Sequence, residues 1–406
     1  MKIYLQELLK AFSFGLDSVE KELIGVNTNH GKRVAYLSIL IGHELGINKY
    51  DLPYLAAAAI LHDNALTEYI EEEAKKGKRI FQNKELIELR RHSVIGEENV
   101  KCLPFYSHIE NAILYHHEHA DGSGSIGKKE EDTPIFAQII HISDQVDAKW
   151  DLSRVDENKY KEVLKFIKNQ SNVLFSERVV HAFEQSCSLE EMMKMKNEVI
   201  DQSLLQKMPP QLEDYSTEEV KGIAHMFAEI VDYKSEFTSR HSIGVAEKAL
   251  KMAEFYHYDK DTQDRIYFAG AIHDIGKLVI DTDVLEKPDK LTDEEFIYMK
   301  NHAYYTYEIL NSIRGFEDIC RWASYHHEKL NGKGYPFGKT GEELDEKERL
   351  MGCIDIYQAL TEKRPYMDGM SHEESINIMR DMAQNNFIDL KIVEDIDEVF
   401  KATTPE

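Results

Sequence analysis

Apolar residues recur along most of this chain at spacings of three and four, as they do in helices that bury one face. The stretches 33–46 and 243–256 show this spacing clearly, with polar and charged residues between the apolar ones. Glycine and proline are sparse in such stretches, and long runs that alternate between apolar and polar residues are absent from the sequence. The pattern predicts an all-α fold.

Two Ser-x-x-Glu patterns, Ser188–Glu191 and Ser216–Glu219, are typical of helix starts, because both side chains can bond free backbone N–H groups there. The pair Pro209-Pro210 should interrupt any helix near the middle of the chain. We therefore expect a connector helix from about 188 to 207. The predicted divisions are an N-terminal domain (1–187), a connector helix with its linker (188–212) and a C-terminal domain (213–406).

The two halves of the chain repeat one another. The segment "AAAAILHDNAL" resembles "FAGAIHDIGKL", and "AILYHHEHADGSGSIG" resembles "WASYHHEKLNGKGYPFG". Matched residues lie 210 or 211 positions apart, as for His62 and His273 (273 − 62 = 211) and for His116 and His326 (326 − 116 = 210). The repeat predicts two tandem copies of one helical domain.

Each copy contains histidines and aspartates at matching positions. Neutral imidazoles and carboxylates suit metals such as Fe, Mn, Zn and Co. Seven such side chains are too many for one ordinary site, but they suit two ions about 3.5–4 Å apart that activate water for phosphoryl displacement. A lone histidine is usually structural, whereas recurrence at the same spacing favours ligands. The candidate ligands are His241, His273, Asp274, His302, His326, His327 and Asp355 in the C-terminal copy, and His30, His62, Asp63, His92, His116, His117 and Asp144 in the N-terminal copy.

The segments "HDIGK", "HHEKLNGKGYP" and "DIYQALTEKRPY" resemble motifs of the HD-GYP phosphodiesterases, a branch of the HD metallohydrolase superfamily. That resemblance implies a helical fold, two or three metal ions, often iron, and conversion of cyclic dinucleotides to linear products. It implies that the seven C-terminal residues bind metal and that Asp274 and Lys277 are catalytic. It further implies that Lys277, Tyr335 and Arg364 contact the substrate or shape its loop.

The position of Lys277 has an independent interpretation. It follows His273 by four residues and Asp274 by three, so a continuing helix would bring all three side chains to nearby faces. Phe237 occupies the position at which members of the family with three metals carry a glutamate. We therefore expect two divalent ions in the C-terminal domain, iron or manganese.

The N-terminal copy resembles a plain HD domain that lacks the GYP motif. Leu66 occupies the position of the lysine, and "GSGSI" replaces "GKGYP". Retention of all seven candidate ligands predicts metal binding there, whereas the missing cation argues against catalysis. A regulatory role, in which this copy binds a metal or nucleotide and influences the C-terminal copy, is the alternative.

The composition narrows the class of protein and its partners. The formal net charge of −25 would repel a long polyanion, so no long nucleic acid is expected as a partner. No apolar run approaches the ~18–20 residues of a membrane span, and the first residues lack the layout of a signal peptide. We therefore predict a cytoplasmic protein without a membrane partner, with a homodimer as a further expectation.

The combined predictions describe a metal-dependent phosphodiesterase that hydrolyses cyclic di-GMP or 3′,3′-cyclic GMP-AMP to the linear dinucleotide. One alternative is a nucleotide sensor that binds without turnover. Another is an HD-type phosphohydrolase that acts on nucleoside monophosphates or triphosphates.

Overall fold

The computed structural model describes residues 1–25, 27–66, 89–234, 241–287, 289–363 and 369–401. The chain divides into two compact units, Tyr4–Glu213 and Asp214–Glu406, the second of which also includes Met1–Ile3. Nearly all of the regular secondary structure in the described ranges of both units is helical, so the predicted all-α class is confirmed. None of the helices described is long and apolar enough to cross a membrane.

The N-terminal unit carries most of its candidate ligands on helices or shortly after them: His30, His92 and Asp144 lie on helices, His62 and Asp63 shortly follow one, and His116 and His117 lie in a turn region. Its α-helices, as far as they are described, are α1 (Leu5–Ile24), α2 (His30–Glu44), α3 (Leu52–Ile60), α4 (Leu89–Val100), α5 (Tyr106–Ile109), α6 (Ile135–Trp150), α7 (Glu157–Asn169), α8 (Glu177–Ser186), α9 (Leu189–Met193) and α10 (Ile200–Lys207). Short 3₁₀ helices cover Glu130–Asp132 and Leu152–Arg154.

The C-terminal unit repeats this order of ligand-bearing elements. Its described α-helices are α11 (Thr217–Tyr233), α12 (His241–Phe255), α13 (Lys260–Ile272), α14 (Thr282–Leu285), α15 (Asp293–Leu310), α16 (Glu317–Ser324), α17 (Glu346–Thr361), α18 (His372–Gln384) and α19 (Leu390–Lys401). A 3₁₀ helix covers Ile275–Val279. The chain also has two short strands, β1 (Lys2–Tyr4) and β2 (Leu212–Asp214), which pair with each other.

Both predicted helix starts are confirmed, but the single connector helix is wrong. Ser216 and Glu219 form a capping box at the start of α11, and the Ser188 side chain accepts the N–H of Glu191 at the start of α9. Helix α9 ends after five residues, and α10 begins only at Ile200. Between them lies Asn197, whose side-chain oxygen accepts hydrogen bonds from Asn29 and Arg33, so contacts within the N-terminal unit outweigh the local helical pattern. The three-part division of the chain stays a prediction.

One close helix contact positions two of the C-terminal candidate ligands. A Cβ atom added at Gly270 in α13 would lie 2.9 Å from Cα of Ala246 in α12, so glycine lets the two backbones approach closely. His241 lies at the start of α12, and His273 directly follows α13. The centroids of these two histidine rings lie 5.4 Å apart.

Candidate metal centre

The C-terminal unit brings its seven candidate ligands together. Their ligand atoms form three overlapping groups, within each of which all atoms lie within 4.8 Å of one another. The groups are His302 with His326 and His327, His241 with His273 and Asp355, and His273 with Asp274 and His326. The shared members join the groups into one cluster.

Asp274 lies between the two sides of this cluster. Its Oδ2 atom is 3.2 Å from Nε2 of His273, whereas its Oδ1 atom is 3.4 Å from Nε2 of His302 and 3.8 Å from Nε2 of His326. The two carboxylate oxygens thus face different histidines. A carboxylate in this position suits a bridge between two cations.

Backbone carbonyls fix the orientation of three of the histidines. The Nδ1 atoms of His273, His302 and His326 lie 2.8, 2.7 and 2.5 Å from the carbonyl oxygens of the residues three positions earlier. An Nδ1–H that donates to a carbonyl leaves Nε2 as the lone-pair atom. All three Nε2 atoms are therefore presented to the cluster as potential ligands.

Several of the atoms that face the cluster have no hydrogen-bond partner. They are Nε2 of His273, His302 and His326 and Oδ1 of Asp274, all of which are buried. Buried polar atoms without partners are costly, and bound cations would satisfy them. The donor set therefore fits divalent metal ions.

The charge states of His326, His327 and Asp274 also suit metal binding. Burial lowers the pKa of His326 to about 3 and, with the neighbouring His326, holds the pKa of His327 well below its usual value. Burial would raise the pKa of Asp274, but His273 and Lys277 hold that pKa well below its ordinary value. Near neutral pH the two histidines are neutral and the aspartate is ionised, which are the forms that bind metal.

The turn that carries the HD pair is not the continuing helix expected from the sequence. Helix α13 ends at Ile272, and residues Ile275–Val279 form a 3₁₀ helix. Gly276 packs so closely on α15 that an added Cβ atom would lie 1.9 Å from the carbonyl oxygen of His302. Thr306 stabilises the turn, because its hydroxyl donates to the carbonyl of His273 and accepts the N–H of Gly276. The tight turn still brings Lys277 Nζ to 2.5 Å from Asp274.

The loop that contains the GYP segment lies beside His302 and His327 of the cluster. Glu328 holds this loop, since its carboxylate accepts the backbone N–H groups of Phe337, Gly338 and Lys339. The ring of Tyr335 lies 4.7 Å from the ring of His327, measured between centroids. A cavity of about 270 Å³ adjoins this pair of rings.

Asn331, which stands in this loop, hydrogen-bonds the loop itself. Its side-chain oxygen accepts the N–H of Lys333 over 3.0 Å. Tyr304 and Tyr307 follow His302 in α15, where aromatic rings could pack within the protein or stack on nucleobases. Both lie against the ring of Phe337, at centroid distances of 6.2 and 5.0 Å. These contacts favour packing within the protein over stacking on nucleobases.

The N-terminal unit gathers its seven candidate ligands in a similar way. Oδ2 of Asp63 is 3.6 Å from Nε2 of His62, and its Oδ1 is 3.2 Å from Nε2 of His92 and 3.6 Å from Nε2 of His116. On the other side, Nε2 of His30 lies 3.3 Å from Oδ1 of Asp144. The groups whose ligand atoms lie within 4.8 Å of one another are Asp63 with His92, His116 and His117, and His30 with His62 and Asp144.

The surroundings of the N-terminal cluster differ in charge from those of the C-terminal cluster. Leu66, which is 3% exposed, stands where Lys277 stands in the C-terminal copy. Glu20 of α1 is 2% exposed, and its Oε2 atom has no hydrogen-bond partner. Burial raises the pKa of Glu20 to about 8, against the opposing influence of His30. The N-terminal cluster therefore lacks the lysine that would attract a phosphate, and it has a buried carboxyl group that a bound cation would ionise, which favours metal ions over phosphate.

Some of these contacts have a signal in the sequence, and others have none. The glutamate after each His-His pair recurs in both copies, and Glu118, like Glu328, accepts backbone N–H groups of the loop that follows it. Glu20 precedes His30 by ten residues without a recognisable motif. Arg364 and Phe237 lie outside the described residues.

The comparisons with known proteins agree with this arrangement. A model of the HD domain family matches residues 19–175 and 225–392. The 3′3′-cGAMP-specific phosphodiesterase 1 of Vibrio cholerae serotype O1 is 30% identical over 389 residues, which are 93% of this chain and 88% of the relative. A cyclic di-GMP phosphodiesterase of Pseudomonas aeruginosa is 33% identical over 148 residues, which are 36% of this chain and 35% of the relative.

A solved structure shows that the fold is shared over nearly the whole chain. It is the crystal structure of a cyclic GMP-AMP specific phosphodiesterase from V. cholerae, with a TM-score of 0.64 and 22% sequence identity over 99% of this chain and 98% of that one. The two matches to the family model confirm the predicted pair of HD-type domains. The chain therefore belongs to the HD domain family and contains two copies of its domain.

Proposed function

We propose that this chain hydrolyses a phosphodiester bond of a cyclic dinucleotide in its C-terminal copy. The observation that carries the proposal is the buried Asp274 carboxylate, which lies between two sets of histidines and beside Lys277. Two divalent cations held by the seven C-terminal residues would activate a water molecule and neutralise phosphate charge. The expected product is the linear dinucleotide.

The other residues have supporting roles in this proposal. Lys277 adds positive charge where the phosphate must approach, and the guanidinium of Arg364 suits a phosphate oxygen. Tyr335 forms one wall of the site through its contact with His327. The substrate therefore meets both cationic and aromatic groups around the cluster.

We propose 3′,3′-cyclic GMP-AMP and cyclic di-GMP as the substrates to test first. The relative that matches nearly the whole chain is named for 3′3′-cGAMP, whereas the named cyclic di-GMP phosphodiesterase of P. aeruginosa matches about a third of it. Because the relative named for 3′3′-cGAMP matches the larger part of the chain, we favour 3′,3′-cyclic GMP-AMP as the substrate.

For the N-terminal copy we propose metal binding without turnover. Its seven candidate ligands lie close together and Glu20 adds a carboxylate, but Leu66 supplies no positive charge for a phosphate. The unpartnered Oε2 atom of Glu20 supports this proposal, because a bound cation would compensate it. Its role would be regulatory.

Elemental analysis of anaerobically purified protein, followed by turnover assays, tests both proposals. We expect iron or manganese to be bound and both cyclic dinucleotides to be cleaved at different rates. The variants His62→Ala and His273→Ala should each lose metal, and only His273→Ala should abolish turnover. Tight nucleotide binding without cleavage would instead support a sensor, and cleavage only of nucleoside monophosphates or triphosphates would support another HD phosphohydrolase. The cytoplasmic location and the homodimer stay predictions.

A further inference from the structure

A buried ion pair orients the first histidine of the N-terminal cluster. Nδ1 of His30 lies 2.7 Å from Oδ2 of Asp147, and Nε of Arg33 donates to Oδ1 of the same carboxylate over 2.7 Å. Asp147 also accepts the backbone N–H of Leu152 over 3.1 Å and is fully enclosed. An Nδ1–H that donates to a carboxylate fixes the ring and presents Nε2 as the ligand atom.

The C-terminal copy has different residues at the matching positions. Gln358 stands where Asp147 stands (358 − 147 = 211), and Gly244 stands where Arg33 stands (244 − 33 = 211). Nζ of Lys248 donates to Oε1 of Gln358 over 2.5 Å. A Cβ atom added at Gly244 would lie only 2.3 Å from Nε2 of Gln358, so the glutamine side chain fills the space above this glycine.

A different carboxylate contacts the first histidine of the C-terminal cluster. Nδ1 of His241 lies 3.1 Å from Oε2 of Glu362, and its Nε2 lies 3.1 Å from Oδ1 of Asp355. Glu362 follows Gln358 by four residues and is the first residue after α17, and both side chains contact residues of α12. The glutamate side chain is one methylene group longer than that of aspartate, and from position 362 it reaches the imidazole of His241.

We propose that Glu362 is the positioning residue that holds Nε2 of His241 toward the C-terminal metal pair, in the role that Asp147 has for His30. This inference rests on the proposed function. The Glu362 side chain is 11% exposed, whereas those of Asp147 and Arg33 are fully buried and paired with each other. The ion bound by His241 should therefore exchange faster than the ion bound by His30.

Metal retention in the full-length chain tests this assignment without requiring turnover. The variants are Glu362→Gln, the double variant Gln358→Asp/Glu362→Gln, and Glu373→Gln as a control at an exposed glutamate of α18. Each is loaded with Mn²⁺, exposed to a chelator and followed by elemental analysis over time, while circular dichroism and thermal melting verify folding. Turnover of 3′,3′-cyclic GMP-AMP is measured in parallel, with kcat separated from KM.

Loss of a carboxylate partner of a metal-binding histidine typically costs ~10–100-fold in metal affinity or activity. We therefore expect Glu362→Gln to release C-terminal metal at least about tenfold faster with a lower kcat. We expect the double variant to recover, because an aspartate at position 358 would face Lys248 as Asp147 faces Arg33. Unchanged retention in folded Glu362→Gln, or no recovery in the folded double variant, would overturn the assignment. A wild-type chain that binds metal but cleaves no nucleotide would contradict only the proposed function.

Discussion

The ammonium group of Lys277 lies 2.5 Å from the carboxylate of Asp274, in the middle of the C-terminal cluster. Burial would lower the pKa of Lys277, but the Asp274 carboxylate raises it above its usual value, so the lysine stays charged. This contact places a fixed positive charge beside the candidate bridging ligand. Leu66 supplies no such charge in the N-terminal copy, although the cluster of candidate ligands is otherwise alike.

Lys277→Met should separate catalysis from metal binding. Removal of a preorganised charged or hydrogen-bonding group from an active site typically costs ~10²–10³ in kcat. We expect a loss of this size in the hydrolysis of cyclic dinucleotide, with metal content close to that of the wild type, because Lys277 donates to a candidate ligand without being one.

The matched control is Lys391→Met, at a lysine that is 74% exposed in the same unit. Its turnover should equal that of the wild type. If Lys277→Met kept full activity, the electrostatic role of this lysine would have to be abandoned.

Tyr335→Ala should weaken substrate binding, whereas Tyr335→Phe should have little effect. The ring lies 4.7 Å from His327 and 6.2 Å from His302, so the aromatic face forms part of the wall of the site. An aromatic contact contributes ~0.5–1.5 kcal/mol beyond its buried area, which corresponds to a rise in KM of about two- to tenfold for alanine. Steady-state kinetics of both variants measure this effect. Equal losses in both variants would show that the hydroxyl group, and not the ring, is required.

Gly276→Ala should disrupt the C-terminal cluster through the backbone. The added methyl group would meet the carbonyl oxygen of His302 at 1.9 Å, so the 3₁₀ helix that carries Lys277 must move away from α15. Overpacking of this kind costs ~1–3 kcal/mol or more. We expect a lower melting temperature and loss of C-terminal metal, measured by calorimetry and elemental analysis.

Gly31→Ala is the control for that substitution, because Gly31 also adjoins a candidate ligand. An added Cβ atom there would lie 3.5 Å from its nearest neighbour, the carbonyl oxygen of Ile60, which is an ordinary contact. We expect a change in stability within about 1 kcal/mol, since alanine is favoured over glycine within helices. Comparable damage in both variants would contradict the explanation based on close packing.

Glu20→Gln should weaken metal binding in the N-terminal copy only. The buried Glu20 carboxyl group, whose Oε2 atom has no partner, would ionise beside a bound cation, whereas the glutamine amide has the same shape and cannot ionise. Elemental analysis of Glu20→Gln in the Asp274→Ala background isolates the N-terminal contribution. We expect less metal in this double variant than in Asp274→Ala alone, and no decrease for Glu22→Gln in the same background. An unchanged metal content for Glu20→Gln would show that Glu20 does not contribute to metal binding.

The repeat in the sequence was sufficient to predict which histidines and aspartates meet. Residues that lie far apart, such as His241 and Asp355, are related by the same offsets as their N-terminal counterparts, and in the structure their side chains are 3.1 Å apart. The helical spacing of apolar residues likewise predicted the all-α class, because burial of one face of each helix determines that pattern.

The finer geometry depends on contacts between distant segments, which local patterns do not encode. The turn after His273 forms a 3₁₀ helix because Gly276 packs on α15 and donates its backbone N–H to the Thr306 hydroxyl. The expected connector helix is interrupted at residues 194–199, where Asn197 accepts a hydrogen bond from Arg33. The repeat did not predict the contact between His241 and Glu362, because Gln358 occupies the position at which the N-terminal copy has Asp147.

Metal stoichiometry in Asp274→Ala, compared with the wild type, tests the two-ion centre most directly. Asp274 contacts both sides of the cluster, so its removal should release the C-terminal metal pair and leave the N-terminal metal in place. We predict two fewer metal ions per folded chain and no hydrolysis of cyclic dinucleotide. An Asp274→Ala protein that keeps the full metal content of the wild type would contradict a metal pair bridged by this aspartate.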